Sequence, residues 1–154
     1  MPHSPLPPRP SRSLTGKVAI VTGAGSQGDG LGNGRAISIL LASDGASVMC
    51  SDLDLSSAQR TEDLIHQEGG TAIAVCADVS SDSECEALVA TAIREYGRLD
   101  ILVNNVGIFG AKGTAVEADE KEWARSWGVN VTSMALMAKY AIQAMLRNER
   151  DEGV

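Results

Sequence analysis

The sequence is short of basic charge, of cysteine, of long apolar runs and of proline beyond its first ten residues, and each shortage removes a class of protein. Thirteen lysines and arginines stand against 20 acidic residues, for a net charge of -7. No cationic surplus exists to displace counterions from a nucleic-acid backbone, so no nucleic-acid partner is expected. The three cysteines, Cys50, Cys76 and Cys85, form no C-x-x-C pair. Neither a disulfide framework nor a metal site is expected from them, and reduced, mostly buried thiols are the simpler reading. No apolar run nears the roughly 20 residues of a membrane-spanning helix. Leu6 is the one large aliphatic residue before Leu14, which leaves the N-terminus without a secretory core. A cytoplasmic location with no membrane partner follows as the expectation. All five prolines fall at positions 2–10, and residues 1–13 are read as a disordered tail that cannot bury enough surface to offset its ordering entropy.

What remains is balanced for a folded core. Of 154 residues 44% are hydrophobic and 21% charged, which suits one domain. From Lys17 onward, short apolar runs at 18–21, 46–50, 71–76 and 99–103 alternate with helical patterns at 34–44, 56–67 and 82–96, followed later by one at 132–147. Runs rich in β-branched and aliphatic residues suit strands buried on both faces. Ser56 with Gln59, and Ser81 with Glu84, have the spacing of capping boxes. Gly45, Gly69, Gly70 and Gly97 stand where helices should stop. The alternation predicts right-handed βαβ units and a parallel sheet.

The first strand runs into a turn with six glycines between Gly23 and Gly34. A G-x-G-x-x-G can be read at Gly23, Gly25 and Gly28, but a helix starting there would contain Gly30, Gly32 and Gly34, at about 0.8 to 1 kcal/mol each. The helix is therefore placed from about Gly34, with its free amides and positive dipole end facing a diphosphate. Asp52 ends the second strand 18 residues after Gly34, near the offset of a carboxylate that accepts from an adenosine ribose. Like charge there opposes a 2′-phosphate, and neither Ser51 nor Leu53 is basic, so NAD is expected over NADP.

Four motifs in order, Thr22-Gly23 through Gly34-Arg35-Ala36, Ala77-Asp78-Val79, Asn104-Asn105-Val106-Gly107 and Gly128-Val129-Asn130-Val131, resemble the short-chain dehydrogenase/reductase family over residues 14–147. The family's T-G-x-x-x-G-x-G is met if residues 27–31 are an insertion. The resemblance implies a Rossmann-type, doubly wound α/β sheet, N-terminal part only, with strand order 3-2-1-4. It assigns Gly23, Gly32 and Gly34 to the diphosphate turn, with Ser26 and Asn33 also at the cofactor. Asp78 and Val79 fall to the adenine, and Asn104 and Gly107 to the adenosine and nicotinamide side. Asn130 matches the family's water-holding asparagine, the one catalytic assignment. Trp123 and Trp127, four apart, are read as core or interface packing.

The family resembled uses a tyrosine with a lysine four residues later to move the proton. Tyr96 is followed at that spacing by Asp100 and Tyr140 by Ala144, so neither matches. The expectation is an NAD-dependent oxidoreductase of an alcohol or ketone, truncated before its catalytic Ser, Tyr and Lys, inactive by itself and prone to self-association. The alternative is a non-catalytic dinucleotide-binding remnant or interaction module. A methyltransferase fragment using S-adenosylmethionine is weaker, because Thr22-Gly23 and residues 104–107 have no role in it.

Overall fold

The computed structural model describes residues 12–28 and 30–151, with side chains described to residue 148. The proline-rich tail thus lies outside the described residues except for its last two. Strands β1 (Val18–Thr22), β2 (Ser47–Asp52), β3 (Thr71–Cys76) and β4 (Ile101–Asn104) alternate with helices α1 (Asn33–Ser43), α2 (Leu55–Gln67) and α3 (Asp82–Tyr96). After β4 come α4 (Glu120–Trp127), a π-helical turn at Gly128–Thr132, and α5 (Ser133–Asp151). The four strands pair in parallel in the order β3-β2-β1-β4. This is the expected Rossmann-type half-sheet.

The period of a strand divides its side chains between two faces, and β1, buried throughout, serves both. Val18 and Ile20, with Met49, pack against Leu88 and Ala92 of α3 and Met137 and Ala141 of α5. Ala19 and Val21, with Val48 and Cys50, pack against Ala42 of α1 and Ala58 and Ile65 of α2. Helices therefore cover both faces, and each fully buried aliphatic side chain contributes about 1.5 to 3 kcal/mol. Register aligns Thr22 with Ser51 and Asn104, and Asp52 with Cys76. The carboxyl ends of all four strands thus lie together. The chain reverses its winding between β1 and β4, the switch point at which open α/β sheets bind ligands.

Several local expectations change. Asp54, not Ser56, caps α2, its carboxylate accepting from the amides of Ser56 and Ser57; an aspartate placed just before the first turn pre-empts the serine two residues later. Ser81 does cap α3 by position, but its hydroxyl meets Ser83, while Glu84 reaches back to the Asp78 amide at 2.8 Å. Leu99 precedes β4 rather than opening it, fully buried in the core. Gly97 ends α3 in the left-handed region at φ 80°, as its position predicts. Trp123 and Trp127 are not core residues: they are 57% and 62% exposed, and α4 buries none of its side chains. Cys50 and Cys85 are buried, whereas Cys76 is exposed. No metal-ligating cluster and no helix long and apolar enough to cross a membrane occur among the described residues.

Candidate functional site

The strand ends open onto a groove of about 760 Å³. Gly23, Gly25, Ser26, Gln27 and Gly28 line it after β1, Asp52 and Asp54 after β2, Asp78 and Val79 after β3, and Asn105 and Gly107 after β4. Most of the predicted cofactor residues are thereby brought to one surface. The groove is elongated across the sheet's switch point and carries Arg60 and Arg125 as its cations.

The glycine-rich turn is held by the protein from below. The amides of Ala24, Gly25 and Ser26 donate to the Ser51 carbonyl, the Asp52 carboxylate and the Ser57 hydroxyl, each at 2.9 Å. Ser57 donates in turn to the Ser26 carbonyl at 2.9 Å, and Thr61 to that of Ala24 at 2.8 Å. A Cβ at Gly25 would stand 2.8 Å from an Asp52 oxygen and would also collide with Ser57, and one at Gly34 would run into the Gly23 carbonyl. Gly34 accordingly lets α1 seat against the turn. Gly23 has φ 63°, which only glycine adopts at low cost.

The internal bonding leaves a definite place for an anion. Gly32 is the N-cap of α1, has no side chain to cap with, and spends its amide on the Ser26 hydroxyl at 3.1 Å. The first amides of the helix, at Asn33, Gly34 and Arg35, have no partner within the helix, and the dipole there favours negative charge. Gly32, Asn33 and Gly34 do not themselves line the groove but stand behind its glycine-rich wall. Helix α1 starts at Asn33, within one residue of its predicted start.

Asp52 closes β2 as predicted, but it does more than face a ribose. One carboxylate oxygen accepts from Gly25 and the other from the Asp54 amide at 3.0 Å, and each retains a lone pair for a ligand hydroxyl. Asp78 is occupied similarly: the Ser80 hydroxyl, 2.6 Å away, and then the Ser80 amide hold its carboxyl below the ordinary range. Asn104 is the last residue of β4, pairs with Thr22, and does not line the groove. Its neighbour Asn105 does, donating to the carbonyls of Thr22 and Gly23 at 3.2 and 2.8 Å and so fastening the turn to β4. Gly107 lines the groove, and a Cβ added there would meet only the Asn130 Oδ1, at 3.8 Å.

Asn130 lies in the π-helical turn, a local irregularity common at functional sites. Its amide group accepts from the Ile108 amide at 2.8 Å and donates to the Ile108 carbonyl at 3.0 Å. It is a positioning residue for the loop that carries Gly107. The two tyrosines stand apart from the groove. Burial pushes the Tyr96 phenol up to about 12. The bond from Lys139 draws the Tyr140 phenol down, but Asp82, which accepts from it at 2.7 Å, outweighs that pull and leaves it above its ordinary value. Neither phenol is poised to ionise.

Sequence reasoning missed Asn105, Ser57, Thr61, Arg35 and Arg60. The one available signal was Ser57 and Thr61, polar residues four apart on a helix that turns that face inward.

A family model described as short chain dehydrogenase matches residues 17–154. Glucose 1-dehydrogenase 2 of Bacillus subtilis is 38% identical over 138 residues, covering 89% of this chain and 52% of that protein. The crystal structure of hydroxysteroid dehydrogenase from Escherichia coli superimposes with a TM-score of 0.82 at 37% identity, over 90% of this chain and 56% of the other. A structure of 7 alpha-hydroxysteroid dehydrogenase complexed with NADH and 7-oxo glycochenodeoxycholic acid does so with a TM-score of 0.81 at 37% identity, over 90% and 51%. The chain spans about half the length of the curated relatives it matches.

Proposed function

Because the chain belongs to the short-chain dehydrogenase family, we propose that it supplies the dinucleotide-binding half of an NAD-dependent oxidoreductase acting on an alcohol or ketone. The observation that carries the reading is a groove lined by the glycine-rich turn and by the strand-end carboxylates Asp52 and Asp78, with that turn leading into the uncapped start of α1. The free amides at the start of α1 would hold the diphosphate, Asp52 would accept from the adenosine ribose, and Asp78 and Val79 would hold the adenine. Gly107 and the Ile108 loop fastened by Asn130 flank the nicotinamide side. When bound, the dinucleotide supplies hydride exchange with the substrate carbon; this chain's residues bind and orient it. Proton transfer at the substrate oxygen has no donor among these residues, since Tyr96 and Tyr140 lie outside the groove wall. These 154 residues by themselves are therefore expected to bind cofactor without turning over substrate.

Cofactor choice follows from charge. Asp52, Asp54 and Asp78 line the adenosine side, with Arg60 as the neighbouring cation, so a 2′-phosphate meets net negative charge. Calorimetric titration tests the reading: NADH should bind about tenfold more tightly than NADPH, and equal or reversed affinities overturn the assignment of Asp52. A non-catalytic dinucleotide-binding module is the second reading, favoured by the absence of a matched Tyr and Lys pair. Any dehydrogenase turnover by purified chain, with host enzymes removed, would sink it. Self-association belongs to the same proposal, with β4 as the outer strand of the half-sheet and the apolar faces of α4 and α5 exposed, as does a cytoplasmic location.

A further inference from the structure

Among the described residues, Arg35 is the one arginine that the fold takes almost wholly out of water, at 2% exposure. Burying a guanidinium is costly unless an opposite charge compensates it. No carboxylate among the described residues pairs with it, and its Nη2 atom has no hydrogen-bond partner. Its other nitrogens are spent on neutral groups: Nε donates to the Thr61 hydroxyl at 3.1 Å and Nη1 to the Gly30 carbonyl at 2.7 Å. Asp63 lines the small cavity between α1 and α2 that Arg35 also borders, yet forms no ion pair with it. A folded chain that retains an unpaired buried cation has either a compensating ligand or an unexplained cost.

We propose that Arg35 is a buried electrostatic anchor for the cofactor's diphosphate, which serves as the counterion that no carboxylate among the described residues supplies. The proposal rests on the dinucleotide reading above. Position supports it in two ways. Arg35 is the third residue of α1, so its backbone amide is among the free donors at the helix start, and its charge adds to the dipole end there. Through Thr61, which donates to the Ala24 carbonyl at 2.8 Å, the guanidinium is also tied beneath the turn over which the diphosphate lies. A charge held inside the protein is screened less by salt than a surface one, and it acts across the intervening turn without touching the ligand.

The test is calorimetric titration of the full chain with ADP, NADH and adenosine, at two salt concentrations, in wild type, Arg35→Gln and Arg35→Lys, with circular dichroism to confirm folding. Arg35→Gln should weaken ADP and NADH about tenfold and leave adenosine unchanged. Arg35→Lys, which keeps the charge but loses the fork, should stay within about threefold of wild type. If Arg35→Gln does not fold, Arg35→Lys decides: retained ADP affinity supports the anchor, and a loss as large as that expected of Arg35→Gln overturns it. Equal weakening of adenosine and ADP means a structural role only and overturns the proposal. Wild type binding ADP and NADH with no loss in Arg35→Gln overturns the anchor while the dinucleotide reading stands. Wild type binding neither overturns both.

Discussion

Helices α1 and α2, on one side of the sheet, and α4 with α5, on the other, differ in what they bury and what they show to water. On the first side, polar side chains go inward: Arg35, Ser38, Ser57 and Thr61 are all buried, and most of their bonds end on backbone groups of the glycine-rich turn or of α1. On the second, exposed apolar side chains are more numerous and include both tryptophans, with Trp123, Trp127, Val131, Met134, Ile142 and Leu146 against Leu40, Leu55 and Leu64 on the first. Buried polar groups that are satisfied hold one geometry, and the turn they hold is the one against which α1 seats its free first amides. An exposed apolar face holds no geometry of its own, and under the self-association proposed above it is the surface that a second chain covers.

The largest effect should come from crowding the first side. Gly34→Val drives branched carbons into the Gly23 carbonyl and the Asn105 amide, the latter 2.6 Å from a simple Cβ. The turn cannot yield without breaking the Asn105 bonds, so a loss of about 3 kcal/mol is expected. Urea denaturation reads it, and a change under 1 kcal/mol would show that α1 can back away from the turn.

The seam between the two sides offers the next test. Asp100, just before β4, accepts from the Val18 amide at 2.9 Å, from both Nε and Nη2 of Arg98, and from Lys17 at 3.3 Å. Burial pushes its carboxyl up, but the Arg98 bonds, the Val18 amide and Lys17 together hold it below the ordinary range. A carboxyl depressed on folding stabilises above its unfolded value, near 3.9, and that stabilisation is lost as pH falls through the folded value. Asp100→Asn should cost about 2 kcal/mol at neutral pH, and the gap from wild type should close below about pH 4. A gap independent of pH would assign the effect to packing instead.

A smaller change is expected at Asp52, where the two roles of one carboxylate can be separated. Asp52→Ala removes both the repulsion of a 2′-phosphate and the acceptor for the Gly25 amide. NADH should weaken, and its roughly tenfold lead over NADPH should shrink to about parity. Asp52→Asn keeps an acceptor for Gly25, so the lead should fall with less loss of NADH affinity. Identical results for the two variants would mean that the Gly25 bond contributes nothing to the binding geometry.

What the sequence made readable, and what it hid, divides along sequence distance. The alternation of strands and helices and Asp52 at the tip of β2 rest on periodicity and on offsets along the chain, whereas strand order came with the family resemblance. The supports of the turn do not: Ser57 meets Ser26 across 31 residues, Thr61 meets Ala24 across 37, and Asn105 meets Gly23 across 82. No local pattern announces such pairs. The cap of α2 shows a finer limit, since Asp54 and Ser56 are both good caps two residues apart, and only the backbone of the turn chooses between them. The tryptophans, read as core or interface packing, lose the first of those readings to their exposure. Spacing of i and i+4 places two side chains on one face of a helix but says nothing about what that face meets.

That face supplies the smallest stability effect and the sharpest contrast with Gly34. Trp123 and Trp127 lie in a helix with no buried residue, and Trp127 makes no described side-chain bond that a serine would break. Replacing both by serine removes little that the isolated chain buries, so its unfolding free energy should move by no more than about 0.5 kcal/mol. Association should respond differently, because aromatic side chains dominate the energetics of surfaces that bury them. Sedimentation velocity at micromolar concentration should show wild type self-associating and the double variant shifted toward monomer. If the variant loses stability in proportion to association, the two sides of the sheet are alike in holding the fold, and the exposed face is structural. If neither quantity moves, the tryptophans are idle, and the exposed aliphatic residues of α5, beginning with Ile142 and Leu146, become the surface to alter.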